Sequence, residues 1–166
     1  MDKVETLTRA KELRQSDKLE ESQDLLLALL EEYPQDPQVL FEVGGAYDVL
    51  GWENLAIPYY QDSINQGLEG PELQECLVCL GSSLRFIGEA DEAVGTLLKA
   101  TEQFPENNSG RAFLALAYYS NDQYEESVRL LLELLLDTTK DAEILAYKET
   151  LDFYKDNMDE VWEEEE

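Results

Sequence analysis

The sequence predicts an all-α solenoid of about four stacked helix pairs. Three observations predict it. A small residue flanked by large apolar ones recurs in Leu40-x-x-Val43-Gly44-x-x-Tyr47, Leu77-x-x-Leu80-Gly81-x-x-Leu84 and Arg111-x-x-Leu114-Ala115-x-x-Tyr118, with a degenerate copy in Thr6-x-x-Arg9-Ala10-x-x-Leu13, at spacings of 34 or 37 residues. A second small residue follows nine positions after each copy, at Ser22, Ala56, Ala93 and Ser127, with a large apolar one four further on, at Leu26, Tyr60, Leu97 and Leu131. Turn-forming residues punctuate the apolar stretches. Periods of this length mark arrays of helix pairs.

The elements follow in order. Apolar spacing predicts helix pairs at 3–15 with 19–33, 37–50 with 53–66, 73–87 with 90–103, and 108–121 with 124–136. Leu25, Leu26, Leu29 and Leu30 share one helical face, as do Val128, Leu131, Leu132 and Leu135. Tyr33-Pro34-Gln35-Asp36-Pro37 ends one helix and opens the next, because proline stops a helix but is tolerated in its first turn. Gly51 and Gly88 suit the left-handed residue that closes a helix, and Asp17 and Asp122 hold the equivalent places in the outer copies. Gly67 through Glu72, with two glycines and a proline, predicts a longer loop between the second and third copies. Pro58 falls inside a helix, removes one backbone hydrogen bond and should bend it. Residues 141–155 predict one last helix that caps the stack, with Ile144, Leu145, Leu151 and Phe153 as apolar contacts. The organisation is a solenoid over 1–155, with repeats at roughly 3–36, 37–73, 74–107 and 108–139. An acidic tail at 156–166 follows.

Charge narrows the function classes. The chain has 166 residues, a net charge of −26 and 43% apolar residues. That apolar share is typical of a folded body, so the acids belong on its surface. Such a surface repels phosphate backbones and anionic bilayers, which argues against nucleic-acid and membrane partners. The acidity is uneven. Residues 1 to 18 carry five basic and four acidic side chains, a net +1, and the remainder carries seven and 34, a net −27. The start, Met1-Asp2-Lys3-Val4-Glu5, lacks the regions of a signal peptide, and a cytoplasmic location is expected.

The repeat resembles the tetratricopeptide repeat (TPR) over about residues 3–139. Ala10, Gly44, Gly81 and Ala115 match that family's close-packing site between the helices of a pair, and Ser22, Ala56, Ala93 and Ser127 match its second such site. The block from Leu40 to Thr138 also resembles an uncharacterised TPR family of Bacillus-type bacteria, in Ile57-Pro58-Tyr59-Tyr60, Leu80-Gly81-Ser82-Ser83 and Phe113-Leu114-Ala115-Leu116-Ala117. This finer resemblance implies no known activity and suggests self-association. The TPR resemblance implies a right-handed superhelix whose concave side is lined by the first helix of each pair. The groove residues would then be Leu7, Lys11 and Arg14, then Phe41, Gly45, Asp48 and Val49. Val78, Ser82, Arg85 and Phe86 follow, then Ala112, Leu116 and Tyr119.

Three features give this groove chemical content. Lys11, Arg14 and Arg85 offer a carboxylate-binding place on an acidic body, or are paired with neighbouring acids. Phe41, Phe86 and Tyr119 are the residue types that anchor interfaces, and are also the types that fill cores. Gly45 costs about 1 kcal/mol against alanine within a helix. It either lets a bound peptide approach closely or marks a loosened helix. Some TPR proteins grip a peptide's C-terminal carboxylate with Lys and Asn side chains on these helices. Here Leu7, Lys11, Phe41, Gly45, Val78 and Ser82 stand at those places, so that mode is not expected.

Catalytic and metal chemistry find little support. The chain has no histidine, which removes Ser-His and Cys-His catalysis and His-ligated metals. No phosphate-binding glycine loop is present. Cys76-Leu77-Val78-Cys79 has CxxC spacing but lies mid-helix without a second pair, so the thiols are structural, or form a redox or inter-chain metal pair. The tail holds seven acids and no base around Val161 and Trp162. It is a solvated tail, or Trp162 docks near Lys11, Arg14 or Arg85. The sequence thus predicts a non-catalytic module without metal or cofactor that binds a protein or peptide in its groove. Homodimerisation is a secondary expectation. The alternative is a TPR-type chaperone that holds secreted or assembling clients.

Overall fold

A computed structural model describes residues 2–161. Among them are ten helices: α1 (Lys3–Gln15), α2 (Leu19–Glu32), α3 (Pro37–Asp48), α4 (Glu53–Asn65), α5 (Gly70–Phe86), α6 (Ala90–Gln103), α7 (Asn108–Ser120), α8 (Tyr124–Thr138), α9 (Ala142–Leu145) and α10 (Lys148–Lys155). Each packs on the next from α1 to α8, making four pairs in a row. The first helices also touch one another along the stack, α1 with α3, α3 with α5 and α5 with α7. They therefore form the inner, concave side, and the second helices lie outside.

Helix ends follow from local chemistry. Asp2 and Glu5 form a reciprocal capping box, with Asp2 Oδ1 accepting from the Glu5 amide at 2.9 Å. Asp36 caps α3 by accepting from the amides of Gln38 and Val39 at 3.0 and 3.1 Å. Asn107 caps α7 by accepting from the Ser109 amide at 3.0 Å. The turns within each pair close with left-handed residues, Asp17 (φ 60°), Gly51 (φ 76°), Gly88 (φ 93°) and Asp122 (φ 58°). In each, the next amide reaches back to the carbonyl five residues earlier, as in Lys18 to Leu13 and Gln123 to Tyr118, both at 2.9 Å. Orphan carbonyls at the helix end are thereby satisfied.

The recurring small residues set the distance between paired helices. A Cβ on Gly44 would lie 2.8 Å from the Tyr60 ring, and one on Gly81 would overlap Leu97 Cγ. In the outer repeats the pair is alanine and serine, and the serine adds a bond across it. Ser22 Oγ donates to the Ala10 carbonyl at 2.8 Å, and Ser127 Oγ donates to the Ala115 carbonyl at 2.7 Å. Leu26, Tyr60 and Leu97 are buried behind these contacts, whereas Leu131, the fourth of the series, is exposed.

Two expectations are corrected. The segment Gly67–Glu72 is not a long loop, because α5 begins at Gly70, with Pro71 in its first turn. Proline lacks only an amide that has no helical partner there, and Gly70 makes the entry with φ 63°. Leu68 is buried at 4% exposure and pins the short link. The three extra residues of this repeat thus lengthen the helix. The predicted single helix over 141–155 is interrupted, with Ala146 and Tyr147 forming a turn between α9 and α10. Only α10 packs substantially on the stack, against α8.

Candidate protein-binding groove

The concave side divides into a polar half and an apolar half. In the polar half, Glu42 of α3 is 3% exposed and draws in two of the four cations of α1, Lys11 and Arg14. Lys11 Nζ lies 2.9 Å from its Oε1, and Arg14 Nη2 donates to its Oε2 at 2.7 Å. Lys11 also lies 3.8 Å from Glu72. A buried carboxylate needs such partners, since desolvation without them is costly. In the sequence Glu42 is marked only as the lone acid between Pro37 and Tyr47, because its burial depends on the cations of α1.

Gly45 sits against the same cluster. A Cβ there would lie 2.9 Å from Arg14 Nη1. The absent side chain makes room for the guanidinium that pairs with Glu42. Arg14, Phe41, Glu42, Gly45 and Asp48 line a recess of about 160 Å³. Asp48 accepts from Tyr60 Oη at 2.9 Å and from Ser83 Oγ at 3.3 Å. Burial pushes its carboxyl above the ordinary range, and these two bonds only partly offset that.

The apolar half is open. Phe86, Leu116 and Tyr119 are 70%, 45% and 63% exposed, and Val49 is exposed as well. Arg85 lies beside them, with Nη1 3.3 Å from Ser120 Oγ and Nε buried without a partner. Among the described residues it makes no ion pair, unlike Lys11 and Arg14. Phe41 and Val78 are buried in the core, at 6% and 8% exposure. Phe41 packs near Tyr60 with ring centroids 6.0 Å apart. Leu7, Ser82 and Ala112 are half-buried. A second recess, of about 710 Å³, lies on the opposite side of the stack between α4 and α6.

The thiols sit inside the stack. Cys76 is fully buried and Cys79 half-buried, and both are free. Cys76 Sγ lies 3.7 Å from the Tyr60 carbonyl. Burial pushes the Cys76 thiol up to about 12 and that of Cys79 to about 11. Neither supplies a reactive thiolate at neutral pH. Among the described residues no three histidine, cysteine or acidic side chains gather into a metal-binding group. No helix of the described residues is long and apolar enough to cross a membrane. Trp162 lies outside the described residues. The preceding segment turns back onto α8, with Asp156 3.3 Å from Arg129 Nε.

This is a helical-repeat scaffold with a preformed concave face. The chain belongs to the tetratricopeptide repeat family: the model described as "Tetratrico peptide repeat" matches residues 37–157. That family's fold serves as a protein–protein interaction module and typically as a non-catalytic scaffold. Solved structures share the right-handed superhelical solenoid. MamA (residues 41 to the end) from Desulfovibrio magneticus RS-1 is similar with a TM-score of 0.72 and 17% identity, over 92% of this chain and 84% of that one. A tetratricopeptide repeat protein from Parabacteroides merdae has a TM-score of 0.72 and 21% identity, over 89% of this chain and 57% of that one. The TPR-like repeats of a putative kinesin light chain from Podosopora anserina reach 0.68 and 18%, over 93% and 87%. No curated protein matches the sequence.

Proposed function

We propose that this protein is a non-catalytic adaptor that binds a segment of another protein in the apolar half of its concave groove. The observation that carries the reading is Arg85, the groove cation without a carboxylate partner among the described residues, set beside exposed Phe86. A ligand with an acidic group next to an apolar side chain would satisfy both at once. Exposed Leu116 and Tyr119 extend the apolar contact. Lys11 and Arg14 are already paired with Glu42, with Glu72 as a second acid beside Lys11, so their part is to hold α1 against α3. A cytoplasmic location accords with two free thiols. Self-association through the same face is the secondary form of this reading.

Affinity capture from native lysate tests it, comparing wild type with an Arg85→Glu, Phe86→Ala double variant. Loss of the specific partners supports the groove, and retention of all of them overturns it. A chaperone that holds clients is the second reading, favoured by the breadth of exposed apolar surface across α7 and α8. It predicts suppressed aggregation of unrelated unfolded proteins, which an adaptor would not show.

A further inference from the structure

The four copies of the repeat provide internal controls for the end of the stack. Leu26, Tyr60 and Leu97 are 0%, 1% and 0% exposed. Each sits in a core cluster with apolar residues of the next first helix: Leu26 with Val39, Val43 and Ala46, and Tyr60 and Leu97 with Cys76, Leu80, Leu114 and Ala117. The fourth of the series, Leu131, is 44% exposed. Val128 is also 44% exposed, whereas its counterparts Ile57 and Val94 are 8% and 7%. With Tyr124 and Leu135 these residues form one stripe along α8, at the spacing of a single helical face. The cap does not cover it. Helix α10 is tied to α8 where Lys155 approaches Glu133 at 3.8 Å and Arg129 meets Asp156, and beyond it Met158 and Asp159 reach only the recess beside Tyr124 and Val128.

The other end of the stack is built differently. Val39, Val43 and Ala46 face the preceding repeat, and their counterparts in the first copy are Glu5, Arg9 and Glu12, all exposed and polar. Stacking one copy's α8 on another's α1 would therefore bury charge against Leu131. Pairing two α8 stripes would bring together two sets of carboxylates, because Asp122, Glu125, Glu126 and Asp159 surround Tyr124 and Val128. On a chain of net charge −26, both arrangements are disfavoured.

We propose that the exposed stripe of α8 docks a basic amphipathic helix of a partner protein, in the place a fifth repeat's first helix would take. Its apolar residues fall at i, i+4 and i+7, as in Val39, Val43 and Ala46. Its Lys or Arg flanks meet the carboxylates beside Tyr124. This does not rest on the groove reading, since the residues differ.

The probe is a synthetic Lys-rich amphipathic helix with that apolar spacing, titrated by fluorescence anisotropy against the full chain. A scrambled peptide of equal composition and a version with Glu for Lys serve as controls. Both stripe residues are exposed, so Leu131→Glu with Val128→Glu should leave the fold intact, which circular dichroism checks. The expected result is a preference of about tenfold or more for the patterned basic peptide, lost in this variant and kept in Arg85→Glu, Phe86→Ala. Equal binding of the scrambled peptide, or binding unchanged by Leu131→Glu with Val128→Glu, overturns the proposal. So does a dimer, seen by sedimentation, that this variant dissolves. A tenfold rise in peptide affinity on truncation after Val161 overturns it too, because the chain's own terminus would then be the occupant.

Discussion

Arg14 occupies the space that a side chain on Gly45 would need, its Nη1 lying 2.9 Å from the position of a Cβ. The two residues belong to neighbouring repeats and are joined through Glu42, which pairs with Arg14 at 2.7 Å. A glycine in the middle of a helix is thus explained by an ion pair made from the helix next door.

That relationship predicts strong coupling. Gly45→Ala in an Arg14→Ala background should stabilise the chain by about 1 kcal/mol, the ordinary helix-propensity gain. In wild type the gain should vanish or reverse, because Arg14 must retreat from a buried carboxylate. Urea unfolding of all four members of the cycle measures the difference. Simple additivity would show that Gly45 owes nothing to Arg14.

Gly81 should behave differently, because its obstacle is Leu97 Cγ, the branch point of a fully buried side chain. Gly81→Ala should destabilise by about 1–3 kcal/mol despite the better helix former. Adding Leu97→Ala to it should remove the steric part of that loss. A thermal melt in which Gly81→Ala alone is as stable as wild type would contradict the packing.

Two carboxylates should respond to pH in opposite senses. Burial raises Asp48, so the folded state favours its protonated form and loses stability as pH rises through the folded value. Asp48→Asn should then be more stable than wild type at neutral pH, with the gap closing below the ordinary 3.8. For Asp36, burial again opposes ionisation, but Lys3 and the Val39 and Gln38 amides outweigh it and hold the carboxyl low. Its contribution is present above 3.8 and fades as pH falls. Asp36→Asn should therefore lose stability at neutral pH and little in acid. Denaturant titrations across pH 2–7 read both signs.

The thiols should be inert while the chain is folded. At pH 8 an aromatic disulfide reagent should label Cys76 and Cys79 about a hundredfold more slowly in the native protein than in denaturant. Rapid native labelling of either would revive a redox role for the CxxC pair.

The fold was readable in the chain because its determinants are local and repeat. The left-handed turns at Asp17, Gly51, Gly88 and Asp122 and the small pairs such as Gly44 with Ala56 follow from steric rules that a spacing of 34 or 37 residues displays openly. Glycine and proline before Glu72 signal a break and so predict a loop, whereas the structure takes them into the first turn of α5 with Leu68 held in the core. The groove was readable only in part. Phe86 and Tyr119 are exposed, whereas Phe41, at the repeat position shared with Val78 and Ala112, is buried as Val78 is.

The sequence by itself determined the helix pairs, their turns and the close-packed positions between them. Each of these depends on side-chain size or backbone conformation within one repeat. Tertiary structure alone decided which cations are spoken for and which apolar residues stay open. Arg14 and Arg85 hold equivalent places in their repeats, yet only Arg14 finds a buried carboxylate across the interface. Leu97 and Leu131 are likewise equivalent, and only Leu97 has a following repeat to bury it. Ion pairing and burial depend on the neighbour that arrives, and a repeat pattern does not encode its own last neighbour.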